Sequence, residues 1–230
     1  MDNMEDLQMN DKYVKLSLLT DEDKIEFISF NKDKITNKKF NQIDMPVWDL
    51  DKFYKATKPV GGLWAGKYHP EEKYLSDWDA YLHNMEYSIS HKRPSKRAVK
   101  FTLKNDADIL LIDSKYDLEK ILLLYEFDAE TCDLINKNTS FKLDYAKFKS
   151  RKINYYSLSS FVDGIYLTRK GAEELAYHKF INENMNISCN YTHLDKNTNL
   201  QDWCVESLLL FNIDCIDKQE TVRKEKEETE

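Results

Sequence analysis

Only five glycines occur in the 230 residues, and three of them, Gly61, Gly62 and Gly66, fall within six positions. Backbone freedom is therefore concentrated in one short segment, Pro59 to Lys67. Pro59 stiffens the entry, Gly61 and Gly62 let the backbone approach another surface closely, and Leu63 and Trp64 anchor the chain beyond the glycines. The segment predicts a tight turn into a short buried strand over Gly61 to Ala65. The alternative is a strand whose exposed backbone lines a ligand cleft. Gly61, Gly66 and Lys67 also match the G-x-x-x-x-G-K spacing of a phosphate-binding loop. That reading fails on mechanism. Tyr68 stands where a magnesium-binding Ser or Thr belongs, and Pro70 disfavours a helical His69 where the phosphate-binding helix should begin.

A chain of this length can bury one substantial core. It is 41% hydrophobic, 33% charged and 13% aromatic, with Tyr and Phe dominating the aromatics, which suits strands better than a helical bundle. The formal charge of -7 argues against general affinity for nucleic acid. No run is long and apolar enough to span a bilayer, and Met1 to Asn10 is too acidic and polar for a secretory signal, so the expected location is cytoplasmic. In a reducing compartment Cys132, Cys189, Cys204 and Cys215, which lack CxxC spacing, read as free thiols.

Along the chain, Met1 to Lys12 reads as a flexible lead-in, and Tyr13 to Leu19 alternates as a strand. Thr20 and Asp23 resemble a capping box that predicts a helix over Asp21 to Phe30, with a strand over Ile25 to Phe30 as the alternative. Thr36 to Pro59 reads mostly as loop, with a helical turn near Leu50 to Tyr54. Ser76 caps a predicted helix over Asp77 to Tyr87, with Trp78, Tyr81, Leu82 and Met85 on one face. Strands are predicted over Ala98 to Leu103 and Ile109 to Ile112. Ser114 then caps a helix carrying Leu118, Ile121, Leu122 and Tyr125. Phe141 to Phe148 is a weaker helix. Asp163-Gly164 signals a hairpin turn within Phe161 to Thr168. A helix over Ala172 to Ile181 comes next, and Trp203 to Ile213 is the strongest strand. Residues 217–230 have one aliphatic side chain, Val222, and are expected to form a charged, disordered tail. Short strands intermixed with helices predict an α+β fold with a bent, mostly antiparallel sheet. Residues 13–216 form its single domain.

Glu206 is the most unusual charged residue. In a strand it shares one face with Leu208 and Leu210, while Val205, Leu209 and Phe211 occupy the other. A carboxylate between two apolar faces is costly unless it is paired, faces a cavity or sits at a strand end within reach of water. His69, His83, His91, His178 and His193 share no metal-ligand spacing, and no metal is expected. The basic stretch His91 to Lys100 reads as a solvated loop, with an acidic or phosphate partner as the sharper alternative.

Four islands together carry a resemblance. They are Lys58-Pro59-Val60-Gly61-Gly62-Leu63-Trp64-Ala65, Trp78-Asp79, Val162-Asp163-Gly164-Ile165-Tyr166-Leu167-Thr168, and Trp203-Cys204-Val205-Glu206-Ser207-Leu208-Leu209-Leu210-Phe211-Asn212. Their order and spacing resemble small phage and bacterial proteins with an ADP-ribosyltransferase-like fold. The resemblance implies a split, bent β-core with peripheral helices clasping NAD. It implies a first motif on the opening strand, Tyr13 to Leu19, where Lys15 and Ser17 replace the usual Arg or His. It also implies a second motif at Gly61, Gly62, Leu63, Trp64 and Ala65, and a third at Glu206 with Cys204 two residues earlier. Arginine-modifying members usually carry Glu at the earlier place, so Cys204 implies another acceptor or simple NAD hydrolysis.

The implied chemistry suits these residue types. Breaking the nicotinamide bond passes through an oxocarbenium-like ribose, which a fixed carboxylate at Glu206 stabilises. Trp64 or a nearby Tyr would stack on the nicotinamide ring, and backbone near Lys15 and Gly62 would meet its amide. The acceptor would be a host protein or nucleic acid, in the host cytoplasm and without a membrane. Two alternatives stand beside it: a non-catalytic viral or bacterial inhibitor on the same fold, and a structural interaction protein with no pocket.

Overall fold

The computed structural model describes residues 24–30, 34–44, 59–85, 97–140, 142–148, 152–175, 180–181, 188–189, 203 and 205–223. The fold is α+β, built on a seven-stranded mixed sheet. In chain order its strands are β1 (Phe27–Ser29), β4 (Leu63–Lys67), β5 (Arg97–Leu103), β6 (Ile109–Ile112), β7 (Gly164–Leu167), β10 (Ser207–Leu210) and β11 (Ile216–Arg223). Their spatial order is β11-β5-β1-β4-β10-β7-β6. Two-residue strands β2 (Ile43–Asp44) and β3 (Val60–Gly61) pair with each other, as do β8 (Phe180–Ile181) and β9 (Ser188–Cys189). Neighbours in the large sheet are antiparallel except β6 and β7, which run parallel. The β6–β7 crossover carries helices α2 (Lys115–Tyr125), α3 (Ala129–Asn138) and α4 (Tyr155–Leu158). Helix α1 (Asp77–Met85) follows β4, and α5 (Arg169–Leu175) follows β7.

β4 joins the two halves of the sheet. Its first three residues pair with β10, Leu63 opposite Leu210 and Ala65 opposite Leu208, and its last two pair with β1. Strand alternation sorts the core into two layers. Leu110, Ile112, Ile165, Leu167 and Leu209 meet Leu118, Ile121, Leu122 and Leu158 of the helices on one face. Phe27, Leu63, Ala65, Phe101, Tyr166, Leu208 and Leu210 fill the other.

Several expectations change. The helix proposed over Asp21 to Phe30 is extended over its described part, with Phe27–Ser29 a strand. Phe27, Ile28 and Ser29 are all buried between β4 and β5, so tertiary pairing overrides the capping signal. Asp163-Gly164 makes no hairpin. The Asp163 carboxylate instead accepts from the Asp108 amide at 2.9 Å and from Asn212 Nδ2 at 2.8 Å, tying together the starts of β6 and β7 and the end of β10. The helix expected from Ala172 to Ile181 begins at Arg169 and runs to Leu175, and Phe180–Ile181 is strand.

Residues 217–223, assigned to a disordered tail, form most of β11 on the edge of β5. An edge strand needs little apolar burial when its backbone is paired and its side chains anchor it. Gln219 accepts from the Ile35 amide at 2.8 Å and donates to the Ile35 carbonyl at 3.3 Å. Lys100 lies 2.8 Å from Glu26 and 2.7 Å from Glu220. Tyr13 to Leu19, Leu50 to Tyr54, His91 to Lys96 and residues 224–230 lie outside the described residues.

Candidate active site

The sheet order β4-β10-β7 sets two strand ends beside one strand start. β4 ends at Lys67, β7 ends at Leu167, and β10 begins at Ser207. The residues just outside, His69, Arg169 and Glu206, therefore converge by topology. Tyr166 stands opposite Leu208 in the β7–β10 register, on the row that Glu206 continues. Helix α1 adds Asp77 from its first turn. It packs against β4 at Gly66, where a Cβ would lie 2.7 Å from Ser76 Cβ, so a side chain there would push the helix away. The Ser76 hydroxyl caps that helix by accepting from the Asp79 amide at 3.1 Å. The connecting loop folds back on itself, with the His69 amide donating to the Leu75 carbonyl at 3.0 Å.

Glu206 is only 4% exposed, which answers the question its sequence context raised: it is paired, not solvated. The Tyr166 hydroxyl and the Arg169 amide, at 3.3 Å, donate to Oε1, and His69 Nε2 lies 3.2 Å from Oε2. Burial pushes its carboxyl up. The hydrogen bonds from His69 and Tyr166, with the charge of Lys67, outweigh burial and hold it below the ordinary glutamate range. It is ionised at neutral pH.

Arg169 forks onto Asp77, with Nε at 3.0 Å and Nη2 at 2.6 Å, and Nη2 also lies 3.3 Å from Glu72. Burial pushes the Asp77 carboxyl up against the opposing pull of Arg169, while the Asp77 bond drives the guanidinium further toward its charged form. The two-bond fork is the stronger indication, and it keeps the pair charged.

His69 Nε2 lies 3.2 Å from Glu206 Oε2 and 3.3 Å from Arg169 Nη2. An ionised Glu206 only accepts, so the Nε2–Glu206 bond is made with the hydrogen on Nε2. Nδ1 faces Glu72 Oε1 at 3.7 Å.

Among the described residues, His69, Asp77 and Glu206 each offer one ligand atom, all within 4.8 Å of one another, and so form a group that could hold a metal ion. The Arg169 guanidinium already meets the charge of this group from its seat on Asp77.

The other residues singled out from sequence are not brought to this cluster. Leu63 and Ala65 are buried beside Leu210 and Leu208, one strand from Glu206. Trp64 pairs with Leu209 and so projects from the opposite face. There its ring meets Trp203 edge-on at 4.9 Å. Gly61 and Gly62, with φ of +98° and +71°, form the turn at the far end of β4, about 16 Å along the strand from Lys67. Lys15, Ser17 and Cys204 lie outside the described residues. Sequence reasoning missed His69, Asp77, Tyr166 and Arg169. The available signal was positional: His69 and Arg169 each follow a strand end, which only the sheet order makes neighbours. No family model, curated protein or solved structure matches the chain.

Proposed function

We propose that the chain is an ADP-ribosyltransferase-like enzyme that cleaves NAD at the nicotinamide–ribose bond and transfers ADP-ribose to a host protein or nucleic acid in the host cytoplasm. One observation carries the reading. Glu206 is a buried, ionised carboxylate just before the start of β10, preorganised by three donors. Such a group is fitted to stabilise a developing ribosyl cation without reorganising during the reaction. The split of partners along β4 also suits the bent, split core that the resemblance implies. On the side of β4 away from β10, Ser29 of β1 donates to the Trp64 carbonyl at 2.8 Å.

A second reading is a non-catalytic inhibitor or binding protein on the same fold. The position of Trp64 favours it, because an indole on the face away from Glu206 cannot stack on a nicotinamide ring held at that carboxylate. Among the described residues, no helix is long and apolar enough to cross a membrane. Nicotinamide release from NAD by the wild-type protein and by Glu206→Gln separates the two readings. Catalysis predicts turnover that falls by roughly 10²-fold or more in the variant. The binding reading predicts no turnover in either.

A further inference from the structure

We propose that His69 is the general base of this site, taking the proton of the acceptor nucleophile while Glu206 remains ionised and stabilises the ribosyl cation. This rests on the transferase reading above. Glu206 is poorly placed to accept that proton. Tyr166, the Arg169 amide and His69 already donate to its two oxygens, and every one of those bonds favours the carboxylate over the acid. A nucleophile bearing an O–H or N–H still has to lose its proton as it attacks, so a second group is required.

The imidazole of His69 is built for that task. Its Nε2–H is committed to Glu206, which fixes the ring's orientation and leaves Nδ1 as the atom with a lone pair, on the side away from the buried carboxylate. The side chain retains 14% exposure, against 4% for Glu206, and its Nδ1 faces Glu72, which is itself exposed. Proton uptake creates an imidazolium between Glu206 and Glu72, with Asp77 close by and already neutralised by Arg169. Among the described residues Arg169, forked onto Asp77, approaches the ring, and the charge of Lys67 acts on Glu206. Two carboxylates in direct reach therefore stabilise the charge that the step creates. In that step the acceptor oxygen or nitrogen bonds to the ribosyl C1′ and the C1′–nicotinamide bond breaks. The electron pair leaves with neutral nicotinamide, and the acceptor's proton passes to His69 Nδ1.

The test uses the full chain, NAD, and two nucleophiles that differ in whether they carry a proton. Water must be deprotonated; azide has no proton to lose. His69→Ala should slow NAD hydrolysis by roughly 10²-fold, and azide should restore nicotinamide release with ADP-ribosyl azide as the product. Glu206→Gln should stay slow with both nucleophiles. His69→Gln, which keeps a donor toward Glu206, repeats the comparison should the alanine variant unfold. Azide rescue marks lost proton transfer, since a packing defect would not respond to the nucleophile's charge. Hydrolysis by the His69 variants within about threefold of wild type, or no response to azide in a folded variant, overturns this role alone. A wild-type protein that releases no nicotinamide overturns the transferase reading and this inference together.

Discussion

Tyr166→Phe isolates one bond in the buried cluster. The substitution removes a single oxygen, the hydroxyl that donates to Glu206 Oε1. It keeps the ring, whose edge meets Phe27 at a centroid distance of 5.2 Å. Tyr166 is 2% exposed, so water cannot replace the lost donor freely. A hydrogen bond to a charged group contributes about 1.5–3 kcal/mol, and that is the expected loss of stability at pH 7. The pH dependence has a definite sign. Glu206 is held below the ordinary glutamate range, so its contribution is complete above that range and disappears as pH falls through the folded value. Removing one of the donors brings the folded value back toward the ordinary one. The gap between wild type and variant should therefore be widest at neutral pH and shrink in acid. Urea unfolding at several pH values measures it directly, and a double-mutant cycle with Glu206→Gln assigns the loss to the pair. A gap under about 0.5 kcal/mol, or one that is unchanged in acid, refutes the claim that Tyr166 supports an ionised Glu206.

Gly66→Ala places a Cβ 2.7 Å from Ser76 Cβ and should cost about 1–3 kcal/mol by overpacking the contact between β4 and α1, as read by chemical denaturation. Truncation after Lys218 removes Gln219 to Arg223 from the edge of β5 and should lower stability by about 2–4 kcal/mol; an unchanged midpoint would return these residues to a tail. Glu206→Gln should fold yet lose about 1–2 kcal/mol, because an amide nitrogen would replace an acceptor oxygen among groups that donate to it, and calorimetry with circular dichroism reads both.

Local signals found the elements whose energetics are local. Ser114 caps α2 by accepting from the Asp117 amide, and Leu118, Ile121 and Leu122 supply its buried face, as their spacing indicates. Helix α3 was missed because it buries little: Cys132 is its one fully buried side chain, and its start depends on the Asp128 cap. In the first turn of helix α1 Asp77, Asp79 and Ala80 are buried behind the Ser76 cap, while Trp78 and Tyr81 stack on each other half-buried. β11 was misread because composition measures what a segment can bury alone, whereas this strand is held by β5 and by the Gln219 contacts to Ile35. Glu206 stood out because a carboxylate amid Leu208, Leu209 and Leu210 demands a partner. The identity of those partners was not local information. His69, Tyr166 and Arg169 lie 137, 40 and 37 positions away in sequence, and only the β4-β10-β7 order brings them to it.

The most direct measurement is a time course of NAD incubated with the wild-type protein, in buffer and in extracts of candidate host cells. Released nicotinamide would be quantified, and ADP-ribose adducts sought by mass spectrometry with isotope-labelled NAD. Catalysis at Glu206 predicts nicotinamide release that depends on the wild-type protein and falls by roughly 10²-fold or more in a folded Glu206→Gln variant, with labelled ADP-ribose on a host macromolecule or free as the hydrolysis product. NAD left intact at millimolar concentration in every extract, or equal turnover by wild type and Glu206→Gln, would contradict it.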